Sequence, residues 1–224
     1  MVDMELLTYL EDFLSPERRA RFEEILEKRT RFITVATEDV WQMHNASAVI
    51  RSCEAFGVQQ AHLIEGKFGD KLDRKIARGA QKWVDVYRHE DSTSCMQHLR
   101  SSGYRIVATS PHATSSSLAD FQLDRPTAFF FGTEKEGLSQ EVMQNADAYL
   151  AIPMAGFTES LNISVSAAII LHELTNRLRS SDLPWQLSDA EKLEKRMDWT
   201  RKSIKSLEAI EARFQRERDS KSDK

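Results

Sequence analysis

The chain has 224 residues, with 31 Lys and Arg against 35 Asp and Glu and a formal net charge of −4. That length suits one core domain with appendages, and that charge excludes a uniformly basic nucleic-acid coat, so any RNA or DNA footprint must be local. Eight glycines and five prolines are too few for a low-complexity chain, and the longest apolar run, Ala167 to Leu171, falls far short of the ~20 residues of a membrane span.

The chain opens helical, with Leu6, Leu7, Leu10, Phe13 and Leu14 recurring at helical period. Asp3 and Glu5 stand where a secretory leader would carry basic residues, so no leader is expected. Ser15-Pro16 restarts a helix, Ser as cap and Pro at the first helical position. Phe22, Ile25 and Leu26 form its apolar stripe, and Arg18 and Arg19 lie on its polar face.

From residue 32 the pattern turns to strand–helix alternation. Phe32–Ala36 reads as a buried strand. Asn45–Phe56 reads as a helix stopped by Gly57. Strands follow at Ala61–Ile64 and Trp83–Tyr87, then a helix around Cys95, Met96 and Leu99. Arg105–Thr109 and Thr127–Phe131 are two more strands. Ser139 caps a short helix through Asn145, and Tyr149–Ile152 is the last strand, stopped by Pro153. Asn162–Leu178 is a long apolar helix. Such alternation predicts an α/β fold, a parallel sheet with helices on both faces. Residues 179–187 read as a linker. Ser188 and Glu191 form a capping box for a final helix, whose stripe is Leu193, Met197, Ile204, Leu207, Ile210 and Phe214. Cys53 and Cys95 lie in different predicted helices, so a disulfide is not expected and a reducing, cytoplasmic compartment is.

Ligands of an open parallel sheet sit beyond the carboxyl ends of its strands. No Gly-x-Gly occurs among the glycines, which removes the dinucleotide fingerprint and the Walker loop. No Gly-x-Ser-x-Gly elbow anchors a hydrolase triad. The six histidines show no metal-ligand spacing, and neither cysteine has a Cys or His at such spacing, so no metal is expected. Three loops remain unusual. His44-Asn-Ala-Ser-Ala-Val-Ile-Arg51 follows the first strand. Gly132-Thr-Glu-Lys-Glu-Gly-Leu-Ser139 follows an all-apolar strand, and its glycines permit close backbone approach to a ligand. Ile152-Pro-Met opens a third loop that ends in Ser160-Leu-Asn-Ile-Ser-Val-Ser166, at a helix start whose free N–H groups favour an electron-rich ligand.

Together the three blocks resemble the SPOUT superfamily of RNA methyltransferases, and within it the TrmH (SpoU) family of tRNA (guanosine-18-2′-O)-methyltransferases. The resemblance spans about residues 30–178 and continues more weakly into the C-terminal helix. It implies an α/β sheet with a C-terminal trefoil knot, a homodimer, and S-adenosyl-L-methionine held largely by backbone groups. The matching cofactor positions are Thr109, Gly132, Ile152, Met154 and Leu161. The family's catalytic arginine matches Arg51 and its partner asparagine Asn45, with Glu134, Ser160 and Asn162 orienting the loops around them. A guanidinium has a pKa above ~12 and does not deprotonate in proteins, so Arg51 is expected to hold a backbone phosphate and the 2′-hydroxyl rather than act as base. The resemblance also casts residues 1–30 and 188–224 as helical arms flanking a core at 31–178. Arg18, Arg19, Lys71, Arg78 and Lys202 are the candidate tRNA phosphate contacts. A 2′-O-methyltransferase acting on ribosomal RNA or another tRNA position, and a non-catalytic knotted RNA-binding protein, are the alternatives. The ribosomal-RNA enzymes usually carry a larger N-terminal domain, and retention of Asn45, Arg51, Ser160 and Asn162 weighs against the non-catalytic protein.

Overall fold

The computed structural model describes residues 2–39, 43–64, 79–111, 116–133 and 135–222. They fall into two compact units, Thr30–Trp185 and a helical unit made of Met1–Arg29 with Gln186–Lys224.

The larger unit is a seven-stranded sheet with every pairing parallel. Its strands are β1 (Ile33–Glu38), β2 (Gln60–Ile64), β3 (Asp85–His89), β4 (Arg105–Thr109), β5 (Ser116–Ser117), β6 (Thr127–Phe131) and β7 (Ala148–Ala151). The order across the sheet is β3-β2-β1-β6-β4-β7-β5. Side chains alternate between faces, and each face is covered by helices, which is why the central strands read as unbroken apolar runs. On one face Val35, Phe129 and Phe131 pack under α3 (Met43–Phe56) and α6 (Ile163–Arg179). On the other Ala36, Ala128 and Phe130 pack under α4 (Ser92–Ser101) and α5 (Gln140–Asn145). Ser139 caps α5 as its sequence suggests, accepting a hydrogen bond from Val142 N at 3.3 Å.

Two readings of this unit are corrected. The third strand begins at Asp85, not Trp83, because Gly79 (φ +91°) opens a 3-10 turn at Ala80–Lys82 that takes up the preceding residues. The edge strand β5 was not anticipated: two serines are too short and too polar to leave a period. Among the described residues no helix is long and apolar enough to cross a membrane.

In the helical unit α1 (Met4–Glu11) is capped by Asp3 and α2 (Pro16–Leu26) by Ser15. The expected capping box is formed, with Ser188 and Glu191 bonded reciprocally at the start of α7 (Asp189–Ser203). Leu7, Leu10 and Met197 form a small core. The buried Arg29 lies 5.3 Å over the Trp199 ring, and Phe22 meets that ring edge-on. The single C-terminal helix expected from the apolar stripe is in fact two, α7 and α8 (Leu207–Ser222). Ile204 turns extended (ψ 130°) and Ser206 takes φ +56°. Ile204, Leu207 and Ile210 all pack on the same small core, so the stripe runs across the break and conceals it.

Candidate functional site

The carboxyl ends of β4, β6 and β7 open into one cavity of about 420 Å³, within the ~300–1,000 Å³ of small-molecule sites. Thr109 ends β4 there, its hydroxyl donating to Phe130 O at 2.7 Å. Gly132, Ile152, Met154 and Leu161 line the same space, so the structure brings together all five positions matched to cofactor binding. Ser160 lines it too.

The loop after β6 is held in two ways. Thr133 and Gly137 exchange a pair of backbone hydrogen bonds, each 3.0 Å, with Gly137 at φ +71°. This folds the loop tightly over Gly132, where an added Cβ would lie 2.1 Å from the Gly137 carbonyl carbon and 2.2 Å from Leu138 N. Only glycine fits there. Its far end is tied down by the buried Glu38, the last residue of β1, whose carboxylate accepts from Ser139 N (2.7 Å), Ser139 Oγ (2.6 Å) and Ser92 Oγ. The sequence reading missed Glu38. Its signal was a carboxylate ending an otherwise buried strand, which needs donors.

Glu38→Gln leaves an amide nitrogen facing donors. The expected loss of stability is about 1–3 kcal/mol, read by chemical denaturation with the Ser139→Ala variant alongside. Unchanged stability would remove Glu38 as the anchor of this loop.

The first block joins the third through one hydrogen bond. Asn45 is buried in the first turn of α3, and its Oδ1 accepts from Asn162 Nδ2 at 3.1 Å. Asn162 Oδ1 in turn caps α6, accepting from Ser164 N at 2.9 Å and Ser164 Oγ at 2.6 Å. Arg51 lies elsewhere on α3. It is exposed and is not among the residues lining the cavity. Six positions along a helix turn the side chain ~600°, well away from Asn45. Glu134 lies outside the described residues.

Of the candidate RNA contacts, Arg18 is exposed, with its guanidinium 6.0 Å from the Phe22 ring. Arg19 is 3.7 Å from Asp12, and Lys202 bonds Asp198 at 2.7 Å. Lys71 and Arg78 lie outside the described residues.

Three of the six histidines, scattered along the sequence, meet in the fold. On the α4 face of the sheet His62 stacks on Tyr87 and on His89, and His98 lies tilted against all three rings. Burial, with His89 and His98 nearby, pushes His62 down to about 3, and burial also lowers His89. Burial, with Glu38 and Asp91 adding to it, pushes the Cys95 thiol up to about 12.

The family described as SpoU rRNA Methylase matches residues 33–172. The chain is 40% identical over 202 residues to a tRNA (guanosine(18)-2′-O)-methyltransferase of Borreliella burgdorferi, covering 90% of this chain and 93% of that one. It is 36% identical over 187 residues to the protein of the same name from Thermus thermophilus, covering 83% and 96%. Among solved structures, the Aquifex aeolicus TrmH/SpoU tRNA modifying enzyme superposes with a TM-score of 0.74 at 32% identity, over 84% of this chain and 98% of that one. The SpoU methyltransferase AviRb of Streptomyces viridochromogenes, solved with AdoMet, superposes with a TM-score of 0.62 at 26% identity, over 70% and 62%.

Proposed function

Because the chain belongs to the SpoU rRNA Methylase family, we infer that it is an S-adenosylmethionine-dependent methyltransferase that methylates the ribose 2′-hydroxyl of guanosine 18 in tRNA. Identity of 40% to one guanosine-18 enzyme over 90% of the chain, and of 36% to another over 83%, carries this reading. The cavity at the ends of β4, β6 and β7 supports it physically. It is lined by Gly132 and Gly137, by the aliphatic Ile152, Leu161 and Ile170, and by polar residues that include Lys135, Glu136 and Glu159, a mixture that suits a heterocycle carrying a charged tail. S-adenosylmethionine supplies an electrophilic methyl group when bound.

The chain's own residues then divide the work. Thr109, Gly132, Ile152, Met154 and Leu161 hold the cofactor, and the aliphatic Ile152 and Leu161 exclude water from it. Arg51 presents its planar fork to a tRNA phosphate and the 2′-hydroxyl. Asn45 and Asn162 lock α3 to the start of α6, and with Glu134 and Ser160 they set the loops around the reacting atoms. No metal takes part in the transfer. Arg18, Arg19, Lys71, Arg78 and Lys202 contact phosphates without reading sequence, so their contribution weakens with salt. Residues 31–178 form the catalytic core, joined by a linker at 179–187 to a C-terminal arm at 188–224, with residues 1–30 as the other arm. The enzyme works on tRNA in the cytoplasm.

The final segment threads as a trefoil knot. The sheet order favours it, because β4 and β5 follow each other in the chain yet β7 is inserted between them. The enzyme is a homodimer packed through α6, where the apolar Val165 (45%) and Ile169 (37%) stand exposed one turn apart. Val165→Asp with Ile169→Asp is expected to yield a monomer by light scattering, with methyl transfer lost. A dimer surviving both charges would place the interface elsewhere.

The deciding experiment is mass mapping of the methylated nucleotide in tRNA incubated with the protein and labelled S-adenosylmethionine. A 2′-O-methylguanosine at position 18 is expected. Product only at another tRNA position, product confined to ribosomal RNA, or no product on any RNA would overturn the assignment.

A further inference from the structure

On the sheet face away from α3 and α6, three side chains from three different elements converge: His62 of β2, His89 at the end of β3 and Cys95 of α4. One candidate donor atom from each lies within 4.8 Å of the other two. His62 Nδ1 and His89 Nε2 share a hydrogen bond of 2.9 Å, which a metal would replace. His98 stands three positions beyond Cys95 on the same helix, on the same side. Its ring centroid is 5.5 Å from that of His89 and 5.7 Å from that of His62. His62 is only 1% exposed, and its Nε2 has no hydrogen-bond partner among the described residues. None of these side chains lines the cavity at the ends of β4, β6 and β7.

We propose that His62, His89 and Cys95 form a binding site for a borderline-soft divalent transition metal, zinc above all, with the fourth position open to His98 or a water. The donor set is two imidazoles and one thiolate, the ligand softness that zinc prefers over magnesium or calcium. Tetrahedral zinc with N–Zn of ~2.0–2.1 Å places its nitrogens about 3.3 Å apart, and nitrogen and sulfur about 3.6 Å apart. The 2.9 Å nitrogen pair therefore opens by only a few tenths of an ångström, and the 4.8 Å span closes by about one. On binding, the Cys95 S–H gives its proton to solvent, the proton held between His62 Nδ1 and His89 Nε2 passes to the other nitrogen of its own ring, two lone pairs of neutral imidazole and one of thiolate form the bonds, and no electron is transferred. The half-buried His89 and the exposed His98 and Tyr87 leave the ion a way in from solvent. The bound ion would clip β2, β3 and α4 together. Sequence spacing conceals the set, since its members stand at 62, 89 and 95 and meet only because β2 and β3 are paired beneath α4.

Cobalt(II) is the probe, because a thiolate–cobalt bond gives an intense near-ultraviolet charge-transfer band that nitrogen and oxygen ligands do not. The untagged full chain, stripped with a chelator and dialysed, is titrated with cobalt and then with zinc. One equivalent of cobalt per chain is expected, with the band present and then abolished by zinc. Zinc at a hundredfold excess over its Kd should raise Tm by about 5 °C or more. Cys53, buried on the opposite face of the sheet, serves as control, so Cys53→Ala keeps the band. Cys95→Ala loses it. His89→Ala, a change at a half-buried position that the fold tolerates, weakens cobalt binding at least tenfold. Absence of the band at stoichiometric cobalt, its survival in Cys95→Ala, or unchanged affinity in His89→Ala would each overturn the site.

Discussion

Replacing Arg51 by lysine is expected to lower kcat for methyl transfer to tRNA by about 10²–10³-fold, while the affinity for S-adenosylmethionine stays within about twofold of the parent. The charge survives the change, but the geometry does not. A guanidinium offers five N–H donors in a rigid plane and can hold two oxygens at once, whereas an ammonium is a point charge on a flexible stem. Arg51 sits exposed on α3 and is not among the residues lining the cavity, so the cofactor should not sense its loss. Among the described residues no hydrogen bond or ion pair engages its guanidinium. Single-turnover transfer with saturating cofactor, alongside calorimetric cofactor binding, separates the two effects. Turnover within a few-fold of the parent would remove Arg51 from the reaction, and an equal fall in cofactor affinity would move it into the cofactor site.

The second large effect is expected at Gly132. An alanine methyl there would meet the Gly137 carbonyl carbon at 2.1 Å, the Gly137 oxygen at 2.2 Å and Leu138 N at 2.2 Å. All three are backbone atoms, so no rotamer change relieves the clash. The Thr133–Gly137 pair must open and the rim of the cavity must move. Misplacing reacting groups by about an ångström costs on the order of 10²-fold in rate, so Gly132→Ala should lower methyl transfer by about that factor and weaken S-adenosylmethionine binding with it. Calorimetric titration gives the Kd, and circular dichroism confirms that the sheet persists. Parent-like affinity in a folded Gly132→Ala protein would show that this turn does not touch the cofactor.

These two positions differ in how visible they are. Gly132 announces itself in sequence, because a glycine directly after Thr127–Phe131 must stand at a strand's carboxyl end, where ligands of parallel sheets bind. The reason it must be glycine, the folding of Gly137 back over it, appears only in three dimensions. Glu38 is the reverse case. Nothing near it in sequence supplies its partners, which come from Ser92 and Ser139, the latter 101 positions away. The Asn45–Asn162 bond likewise spans 117 positions, and each residue alone reads as an ordinary helix cap.

What the amino-acid order determined by itself was everything carried by short-range periodicity and local chemistry. The buried strands, the helix caps at Ser15, Ser139, Asn162 and Ser188, and the family signature in three loops depend on residues a few positions apart. Tertiary structure alone decided the order of strands across the sheet, the break at Ser206 between α7 and α8, and the meeting of His62, His89 and Cys95. The physical reason is common to all three. Each depends on which distant surfaces pack together, and the free energy of that packing has no period along the chain.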